Sequence, residues 1–281
     1  MDPAALALVD DWPVENVTVG VVDSGGALHT RGDVDREYRW ASVTKLFAAT
    51  AVLVAVQEEV LGLDDPAGPP DSTVRHLLAH ASGLPMLAGA PIAAPGRRRI
   101  YSNVGFDILG ELLGARTGMV ASEYLREAVL EPLGLAATTV SGSIASSARG
   151  PLTDLLGFAG EWLTPRVGVL GPNLMGAATS VAFPGLPGVL PGFGRQRPND
   201  WGLGFELRGH KSPHWTGSRN SPSTYGHFGR AGTFVWVDPV AGVGCACLTD
   251  REFGPWAAEV WPALADAILG RASTARAPRS D

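Results

Sequence analysis

The stretch "ASVTKLF", residues 41–47, places a serine and a lysine three residues apart at the start of a predicted helix. Lys45 is one of only two lysines in a chain that contains 20 arginines. An arginine does not release its proton in a protein, whereas a buried lysine can. The apolar residues that follow predict a long, largely buried helix from Val43 to Val60, capped by Gly62. An amine in this setting indicates chemistry at position 45.

Strand-like and helix-like segments are arranged in blocks on either side of this helix. Two β-rich runs around the turn "DSGG" predict a hairpin, and four amphipathic helical segments lie between residues 71 and 163. The Gly/Pro-rich residues 171–198 have no assigned structure. The runs "WGLGFEL", "GTFVWVD" and "GVGCACLTD" then predict strands, and "WAAEVWPALADAILG" predicts a closing helix.

This order predicts an α+β fold. We expect an antiparallel β-sheet that is built from both ends of the chain and flanked by terminal helices, with an inserted all-helical region. Residues 1–65 and 199–270 are assigned to the sheet region and residues 66–198 to the helical region. Residues 271–281 are predicted to be a disordered tail.

Composition narrows the possible partners and location. Of the 281 residues, 45% are apolar and 18% are charged, as is typical of a soluble globular protein. A net charge of −6 and a pI near 5.5 argue against nucleic acid or an anionic membrane as partner. The sequence shows no apolar run long enough to span a bilayer and no signal-peptide pattern at its start, so a cytoplasmic protein is expected.

Four residues of metal-binding type are expected to have structural roles. Cys245 and Cys247 lie too close together in sequence for an easy disulfide, which favours reduced thiols in the core. His76 and His80 have a metal-like spacing on a short helix, but no third ligand is near them in sequence, which favours a core role. No metal or cofactor is expected.

Two further polar clusters are expected to be solvated. The basic run Arg97–Arg99 is interpreted as a loop, with an anion-attracting patch as the alternative. His210 and His214 flank Lys211 in a Pro-containing loop and are also expected to face solvent. The tryptophans, among them Trp201, are interpreted as core or pocket wall.

Ser42 and Lys45 form the first candidate for catalysis. At positions i and i+3 their side chains share one face of the helix N-terminus, where free N–H groups favour a developing oxyanion. To act as a base, Lys45 has to lose about 3 pKa units, or roughly 4 kcal/mol. An S-x-x-K motif alone is weak evidence, because roughly one chain in eight of this composition would contain it by chance.

Two further motifs offer complementary groups. "YSN" supplies the phenol of Tyr101, which can share a proton with the lysine, and the amide of Asn103, which can bind a substrate carbonyl. "HFG" supplies His227 and Gly229 before a predicted strand. The next backbone N–H, that of Arg230, can donate to an oxyanion. The structural alternatives are helix capping for the serine and for "YSN", and a buried structural role for the histidine.

In this order the three motifs resemble those of the serine penicillin-recognising enzymes: S-x-x-K, then Y-x-N, then H/K-x-G. The chain is most similar to the group of class C β-lactamases, D-alanyl-D-alanine carboxypeptidases and family VIII esterases. Further segments are similar in the same order, including "LGLDDP", "TVRHLLAHASGLP" and "WGLGF". Together they cover roughly half of the chain, which is far stronger evidence than one motif.

The resemblance implies a role for each motif residue. Ser42 would be the acylated nucleophile, Lys45 and Tyr101 the proton-transfer pair, and Asn103 an amide that positions substrate. His227 would be the histidine of the third motif. The backbone N–H groups at positions 42 and 230 would form the oxyanion hole. The implied fold agrees with the one predicted above.

Three departures from the family pattern bear on the substrate. Relatives that bind β-lactams or D-alanyl peptides have a hydroxyl residue in the middle of the third motif, where this chain has Phe228. Arg230 or the run Arg97–Arg99 could replace this carboxylate anchor. The chain is also shorter than class C enzymes and has no visible export signal.

We therefore predict a serine hydrolase that acts through an acyl-enzyme on Ser42, esterase-like on small esters or amides. The alternatives are a β-lactamase or D-alanyl-D-alanine carboxypeptidase, and a binding or scaffold module with an idle site. The expected partner is a small-molecule acyl substrate, with no nucleic acid and no membrane. Fold alone does not decide among these.

Overall fold

The computed structural model describes residues 3–270, which form a mixed α/β structure with three antiparallel sheets. The strands are β1 Val17–Asp23, β2 Leu28–Arg31, β3 Tyr38–Arg39, β4 Thr139–Val140, β5 Ala148–Gly150, β6 Gly188–Leu190, β7 Gly194–Gln196, β8 Glu206–Leu207, β9 Tyr225–Gly229, β10 Thr233–Asp238 and β11 Val243–Thr249. The α-helices are α1 Thr44–Gln57, α2 Val74–Leu78, α3 Asn103–Thr117, α4 Ala121–Leu125, α5 Leu152–Leu163, α6 Pro172–Ala178 and α7 Pro255–Leu269. Two 3₁₀ segments, Pro3–Asp11 and Ala41–Val43, and a π-helical turn, Arg126–Leu130, complete the list.

The main sheet joins the two ends of the chain. Its strand order is β2-β1-β11-β10-β9-β8, and each neighbouring pair is antiparallel. Val19 of β1 lies opposite Cys247 of β11, and Val235 of β10 lies opposite His227 of β9. The predicted α+β fold with an antiparallel sheet made from both ends of the chain is confirmed.

Two hydrophobic cores lie on opposite faces of this sheet. In β11, Cys245 and Cys247 point into the core formed with Pro3–Asp11 and α7, and both are free thiols. Ala246 and Leu248 point into the other core, which contains α1 and α5. Successive side chains of a strand face opposite sides, so the one strand contributes to both cores.

Helix α1 has no solvent-facing side along most of its length. Every residue from Thr44 to Ala55 is buried, and Phe47 stacks on Phe158 of α5 with ring centroids 4.0 Å apart. A helix that is apolar all round belongs in the interior of a domain. The predicted long buried helix is confirmed, and it carries Lys45 into the core.

The shorter elements differ from their predictions. Helix α2 has only five residues, and only Glu206–Leu207 of "WGLGFEL" is a strand. The "HFG" motif precedes β10, as predicted, and also lies within a strand of its own, β9. Residues 171–198 contain α6 and the hairpin of β6 and β7. The small sheet β3-β5-β4 was not predicted, because strands of two or three residues show no measurable period.

The division into a sheet region and a helical region stays a prediction. Helix α5 belongs to the segment assigned to the helical region, and it packs directly on β1, β10 and β11. The predicted tail, residues 271–281, lies outside the described residues. Within residues 3–270, none of the helices has the length and apolarity that crossing a membrane requires.

Candidate active site

Ser42 lies on the short 3₁₀ turn that leads directly into α1. The preceding residue, Ala41, has a φ of 46°, in the left-handed region that residues other than glycine rarely adopt. Such a conformation persists where the surroundings enforce it. Here Trp40 is fully buried, and its carbonyl accepts a 3.0 Å hydrogen bond from Thr233 Oγ1 of β10. The main sheet therefore fixes the backbone that presents Ser42.

Two cavities meet at Ser42. The larger has a volume of about 460 Å³ and is lined by charged residues of both signs. The smaller, of about 170 Å³, has mainly apolar walls. Ser42, Met86 and Arg230 border both cavities. A group attached to Ser42 can therefore extend in two chemically different directions.

The Lys45 side chain is fully buried and reaches three polar groups. Its Nζ donates to Asn103 Oδ1 at 2.6 Å and to the carbonyl oxygen of Ala145 at 2.7 Å, and it lies 3.4 Å from Ser42 Oγ. A neutral amine has two N–H bonds and one lone pair. When two acceptors take both hydrogens, the lone pair is left for the serine hydroxyl. This arrangement suits a general base.

The surroundings of Lys45 bring its pKa close to neutrality. Burial lowers the pKa from 10.5 to about 7, and the carboxylate of Asp107 opposes this change. A substantial fraction of the amine is therefore neutral near pH 7. The required fall of about 3 pKa units comes from the apolar packing around α1.

Tyr101 lies beside this amine as a neutral phenol. The Lys45 Nζ is 4.9 Å from the centre of its ring. Burial raises the pKa of Tyr101, and the nearby Ser42 hydroxyl lowers it only in part. Among the described residues, its hydroxyl has no hydrogen-bond partner. A phenol in this state can donate a proton, but it is a poor base in the resting site.

Asn103 is positioned by the start of α3. The Ser102 hydroxyl caps this helix by accepting a 3.0 Å hydrogen bond from the N–H of Gly105. Asn103 is the first helical residue, and its Oδ1 accepts from Lys45. It also lines the larger cavity. Only the Nδ2 group of its amide is left to donate to a substrate.

His227 is a neutral histidine that lines the smaller cavity. Its Nδ1 lies 2.6 Å from the carbonyl oxygen of Phe228, so this nitrogen carries the proton. Burial, with the nearby charge of Lys45, lowers the pKa of His227 to about 3. Its Nε2 is therefore a lone-pair acceptor, and it has no partner within the described part of the chain.

Gly229 allows β9 to touch the segment that carries Ser42. A Cβ at this position would lie 2.3 Å from the carbonyl oxygen of Trp40, too close for any side chain. The close approach brings the next residue, Arg230, to the edge of both cavities. The Arg230 side chain is 81% exposed and lies 3.3 Å from Glu252.

Two basic residues expected in solvent, Arg99 and His214, are buried, so these expectations are wrong. Arg99 is 2% exposed and donates to the carbonyl oxygens of Ala79, Ala182 and Asn199. Its backbone acceptors explain how a guanidinium is accommodated in the interior. None of Arg97–Arg99 lines either cavity at Ser42.

The second is His214, which lies with the buried Lys211 against the buried carboxylate of Glu206. Trp215 Nε1 also donates to Glu206, at 2.9 Å. Burial raises the pKa of Glu206, but His214 and Lys211 together outweigh it and hold the pKa below its usual range. His210, in contrast, is exposed as expected. Pairing with a carboxylate, which the local sequence does not show, keeps this cluster inside.

Two contributors to the site were not assigned roles from the sequence. The carbonyl of Ala145 has no sequence signal, because any residue offers a backbone oxygen. His80 lies after α2 with a φ of 53° and accepts a 3.1 Å hydrogen bond from the N–H of Ser102. Its ring packs on that of Tyr101 with centroids 4.6 Å apart. His76 and His80 thus have separate surroundings, since His76 stacks on Phe183.

Comparison with known proteins identifies the family. The β-lactamase family profile matches residues 4–269. The chain belongs to the β-lactamase family. A crystal structure of a β-lactamase from Mycobacterium bovis is 50% identical in sequence, with a TM-score of 0.93 over 95% of this chain and 99% of the other. The predicted family resemblance is confirmed.

Other similar proteins are more distant. The D-alanyl-D-alanine-carboxypeptidase/endopeptidase AmpH of Escherichia coli is 25% identical over 185 residues, which are 49% of this chain and 48% of AmpH. The chain thus spans about half the length of the curated relatives it matches. Simvastatin synthase LovD from Aspergillus terreus, at 18% identity and a TM-score of 0.80 over 98% of this chain and 100% of the other, shares the fold. The hydrolytic enzymes among the named relatives support an enzyme here.

Proposed function

We propose that this protein is a serine hydrolase that forms an acyl-enzyme on Ser42, with esterase-like activity on small esters or amides. One observation carries the proposal. A fully buried amine with a pKa of about 7 lies 3.4 Å from the Ser42 hydroxyl, and its other contacts are two acceptors. A positioned base beside a hydroxyl is the arrangement that activates a serine nucleophile.

In the proposed acylation step, neutral Lys45 removes the proton of Ser42 Oγ while Oγ attacks the substrate carbonyl carbon. The carbonyl oxygen becomes an oxyanion that the backbone N–H groups of Ser42 and Arg230 stabilise. The bond to the leaving group then breaks, and that group receives the proton that Lys45 took from Ser42. A water molecule, deprotonated by the again neutral Lys45, attacks the ester carbon, and Ser42 Oγ leaves with the proton from Lys45, which releases the acid and the free serine.

Tyr101 fits the role of proton donor better than that of base. Its buried phenol has a raised pKa, whereas the pKa of Lys45 is lowered to about 7. Near neutral pH the amine therefore accepts a proton more readily than the phenol releases one. We assign to Tyr101 the transfer of a proton towards the leaving group.

The two cavities suggest how a substrate is divided. The smaller, of about 170 Å³, compares with the roughly 150 Å³ cavity that holds benzene in an engineered protein. It suits a short, uncharged acyl group. The larger cavity would hold the leaving group. This division favours small esters and amides, with a small-molecule acyl substrate as the partner. We further propose a cytoplasmic location.

The residues at the third motif are poorly suited to binding a substrate carboxylate. Phe228 offers no hydroxyl and packs against Phe253, with ring centroids 4.9 Å apart. Arg230 is largely exposed and faces Glu252, so its charge is screened by solvent and balanced by a partner. A substrate that relies on a bound carboxylate would therefore be held poorly.

The second candidate is a β-lactamase or D-alanyl-D-alanine carboxypeptidase. The name and 50% identity of the Mycobacterium bovis structure favour it, as does the name of AmpH. Arginines on the wall of the larger cavity, among them Arg39 and Arg149, are cations that a substrate carboxylate can approach. The third hypothesis is an idle binding module. This hypothesis does not explain why a buried amine lies beside a serine.

Intact mass spectrometry after brief exposure to p-nitrophenyl butyrate or to a penicillin tests these readings. An acyl adduct from the ester, absent from Ser42→Ala, supports the proposal. A penicillin adduct on Ser42 without an ester adduct would replace it by the second candidate. If neither reagent forms an adduct while circular dichroism shows that the protein is folded, the result would favour the hypothesis of an idle binding module.

A further inference from the structure

The carbonyl of Ala145 is held towards Lys45 by a turn that is anchored to α3. The turn spans residues 143–147, where the N–H groups of Ser146 and Ser147 donate to the carbonyl of Ser143 at 3.2 and 3.1 Å. Within it, the N–H of Ala145 donates to Ser143 Oγ at 3.1 Å. The carbonyl of the same residue, Ala145, accepts from Lys45 at 2.7 Å.

Ser143 is in turn held by α3. Its hydroxyl donates to Asp107 Oδ1. Asp107 lies one helical turn after Asn103, and residues at i and i+4 share one face of a helix. Helix α3 therefore contacts the Lys45 amine twice: directly through Asn103, and indirectly through Asp107 and the turn.

We propose that Asp107 and Ser143 form a positioning pair for the Lys45 amine: Asp107 fixes Ser143, Ser143 fixes the backbone of Ala145, and the Ala145 carbonyl fixes the direction of the Nζ lone pair. The inference rests on the proposed function, since it concerns the base that activates Ser42. Neither residue touches the reacting atoms, so both are positioning residues.

The charge of Asp107 adds a second effect. It is the group that opposes burial and raises the pKa of Lys45. The other titratable groups that face the amine are Tyr101, His80 and His227, from the segments before α3, after α2 and on β9. Burial, and after it the positive charge of Lys45, lowers the pKa of both histidines, so they stay neutral beside the amine. Within the described residues, Asp107 is the one carboxylate identified as acting on this amine.

The chain itself offers a direct measurement of the pKa of Lys45. It has two lysines, so protein labelled with 13C at lysine Cε gives two side-chain signals in NMR. The Lys45→Met variant assigns them. In Asp107→Asn the amide oxygen can still accept from Ser143, but the charge is lost. We expect the pKa of Lys45 to fall by roughly half a unit, as for a partly screened charge, and that of Lys211 to stay unchanged.

The acylation rate of Ser42 separates charge from position. In Asp107→Asn, the acid limb of the pH profile should move to lower pH with little change in the maximum rate. In Ser143→Ala, the carboxylate stays but the turn is released, so the maximum rate should fall roughly tenfold, the cost of a misplaced catalytic group. The Glu111→Gln variant removes an exposed carboxylate one turn further along α3 and is the matched control.

The possible failures can be told apart. If wild type forms no Ser42 adduct, the proposed function fails, while the NMR titration still measures the effect of Asp107 on Lys45. If wild type is acylated but Asp107→Asn moves neither the titration nor the profile more than Glu111→Gln, the charge effect is overturned. An unchanged maximum rate in Ser143→Ala would overturn the positioning effect, and would show that Ile144, which packs at Gly110 of α3, holds the turn alone.

Discussion

The amine of the fully buried Lys45 and the amide oxygen of the partly buried Asn103 lie 2.6 Å apart, in a contact that joins α1 to α3. The two residues are 58 positions apart in sequence. The contact uses one amine hydrogen, and the carbonyl of Ala145 uses a second. The lone pair of a neutral amine is then left for Ser42. Under the proposed function, these two hydrogen bonds fix the direction in which Lys45 accepts a proton.

Replacement of Lys45 by Met should change the pH dependence of stability. The amine has a pKa of about 7 when folded and 10.5 as its ordinary value. Between these values the unfolded chain binds more protons, so wild type gains stability as pH rises from 7 to 10.5. Below pH 7 the buried amine is protonated, and its burial lowers the unfolding free energy by the full amount, roughly 5 kcal/mol. The unfolding free energy of Lys45→Met relative to wild type should therefore fall by several kcal/mol across this window.

Urea unfolding of both proteins at several pH values between 7 and 10.5 measures this difference. The two acceptors that Lys45→Met leaves unpaired cost free energy, but that cost does not vary with pH. This cost lowers the unfolding free energy of the variant equally at every pH, so the slope of its stability against pH does not change. Parallel stability curves for the two proteins would contradict a lowered pKa for Lys45.

The Tyr101→Phe variant should lose activity without losing stability. The Tyr101 hydroxyl is buried and has no hydrogen-bond partner among the described residues. Removing it should leave the unfolding free energy unchanged or raise it by about 1 kcal/mol. Acylation of Ser42 should slow roughly 100-fold, because a proton donor is removed. Urea unfolding and stopped-flow acylation measure the two effects, and a stability loss above 1 kcal/mol would reveal a partner for the hydroxyl.

The sequence predicted the parts of the fold that repeat a pattern. The apolar run after Ser42 is long enough to indicate a buried helix, and β10 and β11 show the residue types of buried strands. Strands of two or three residues, such as β3, are fixed by long-range pairing that a local pattern does not contain. The same limit applies to Arg99. Its acceptors lie on distant segments, so its charge alone wrongly indicated solvent.

The candidate site was likewise predictable only in part. Side chains of the three motifs could be selected because the chemistry requires particular residue types at short spacing. The Ala145 carbonyl could not, since every residue has one. The neutral state of His227 could not be predicted from the sequence either. It depends on a hydrogen bond to the backbone carbonyl of Phe228 and on burial between segments far apart in sequence.

Gly229→Ala should disrupt the site, whereas a matched glycine should tolerate the same change. The added Cβ would lie 2.3 Å from the carbonyl oxygen of Trp40 and 3.2 Å from Ala41 Cβ, so β9 or the Ser42 turn has to move. A displacement of about 1 Å in a catalytic group is sufficient for a roughly 100-fold loss of rate.

The control is Gly176→Ala in α6, where an added Cβ meets nothing within 4 Å. Alanine is the better helix former, by about 1 kcal/mol, so this variant should be fully active and equally or more stable. Acylation rates and thermal unfolding distinguish the two variants. Full activity in Gly229→Ala would mean that the approach of β9 does not position Ser42.

The Phe228→Thr variant tests whether the middle residue of the third motif selects against carboxylate substrates. The Phe228 ring packs against Phe253, Trp215 and Trp261, so truncation should cost roughly 3 kcal/mol of stability. Phe228→Val is the matched control, since it has nearly the same shape as threonine and no hydroxyl. Both variants should lose similar stability, which removes packing from the comparison.

If a hydroxyl on β9 binds a substrate carboxylate, Phe228→Thr should be acylated by a penicillin at least tenfold faster than Phe228→Val, the value of one charged hydrogen bond. Acylation by a neutral ester should not differ between them. Equal penicillin rates in the two variants would show that Phe228 does not set this specificity, and that the cavity walls exclude the larger acyl group.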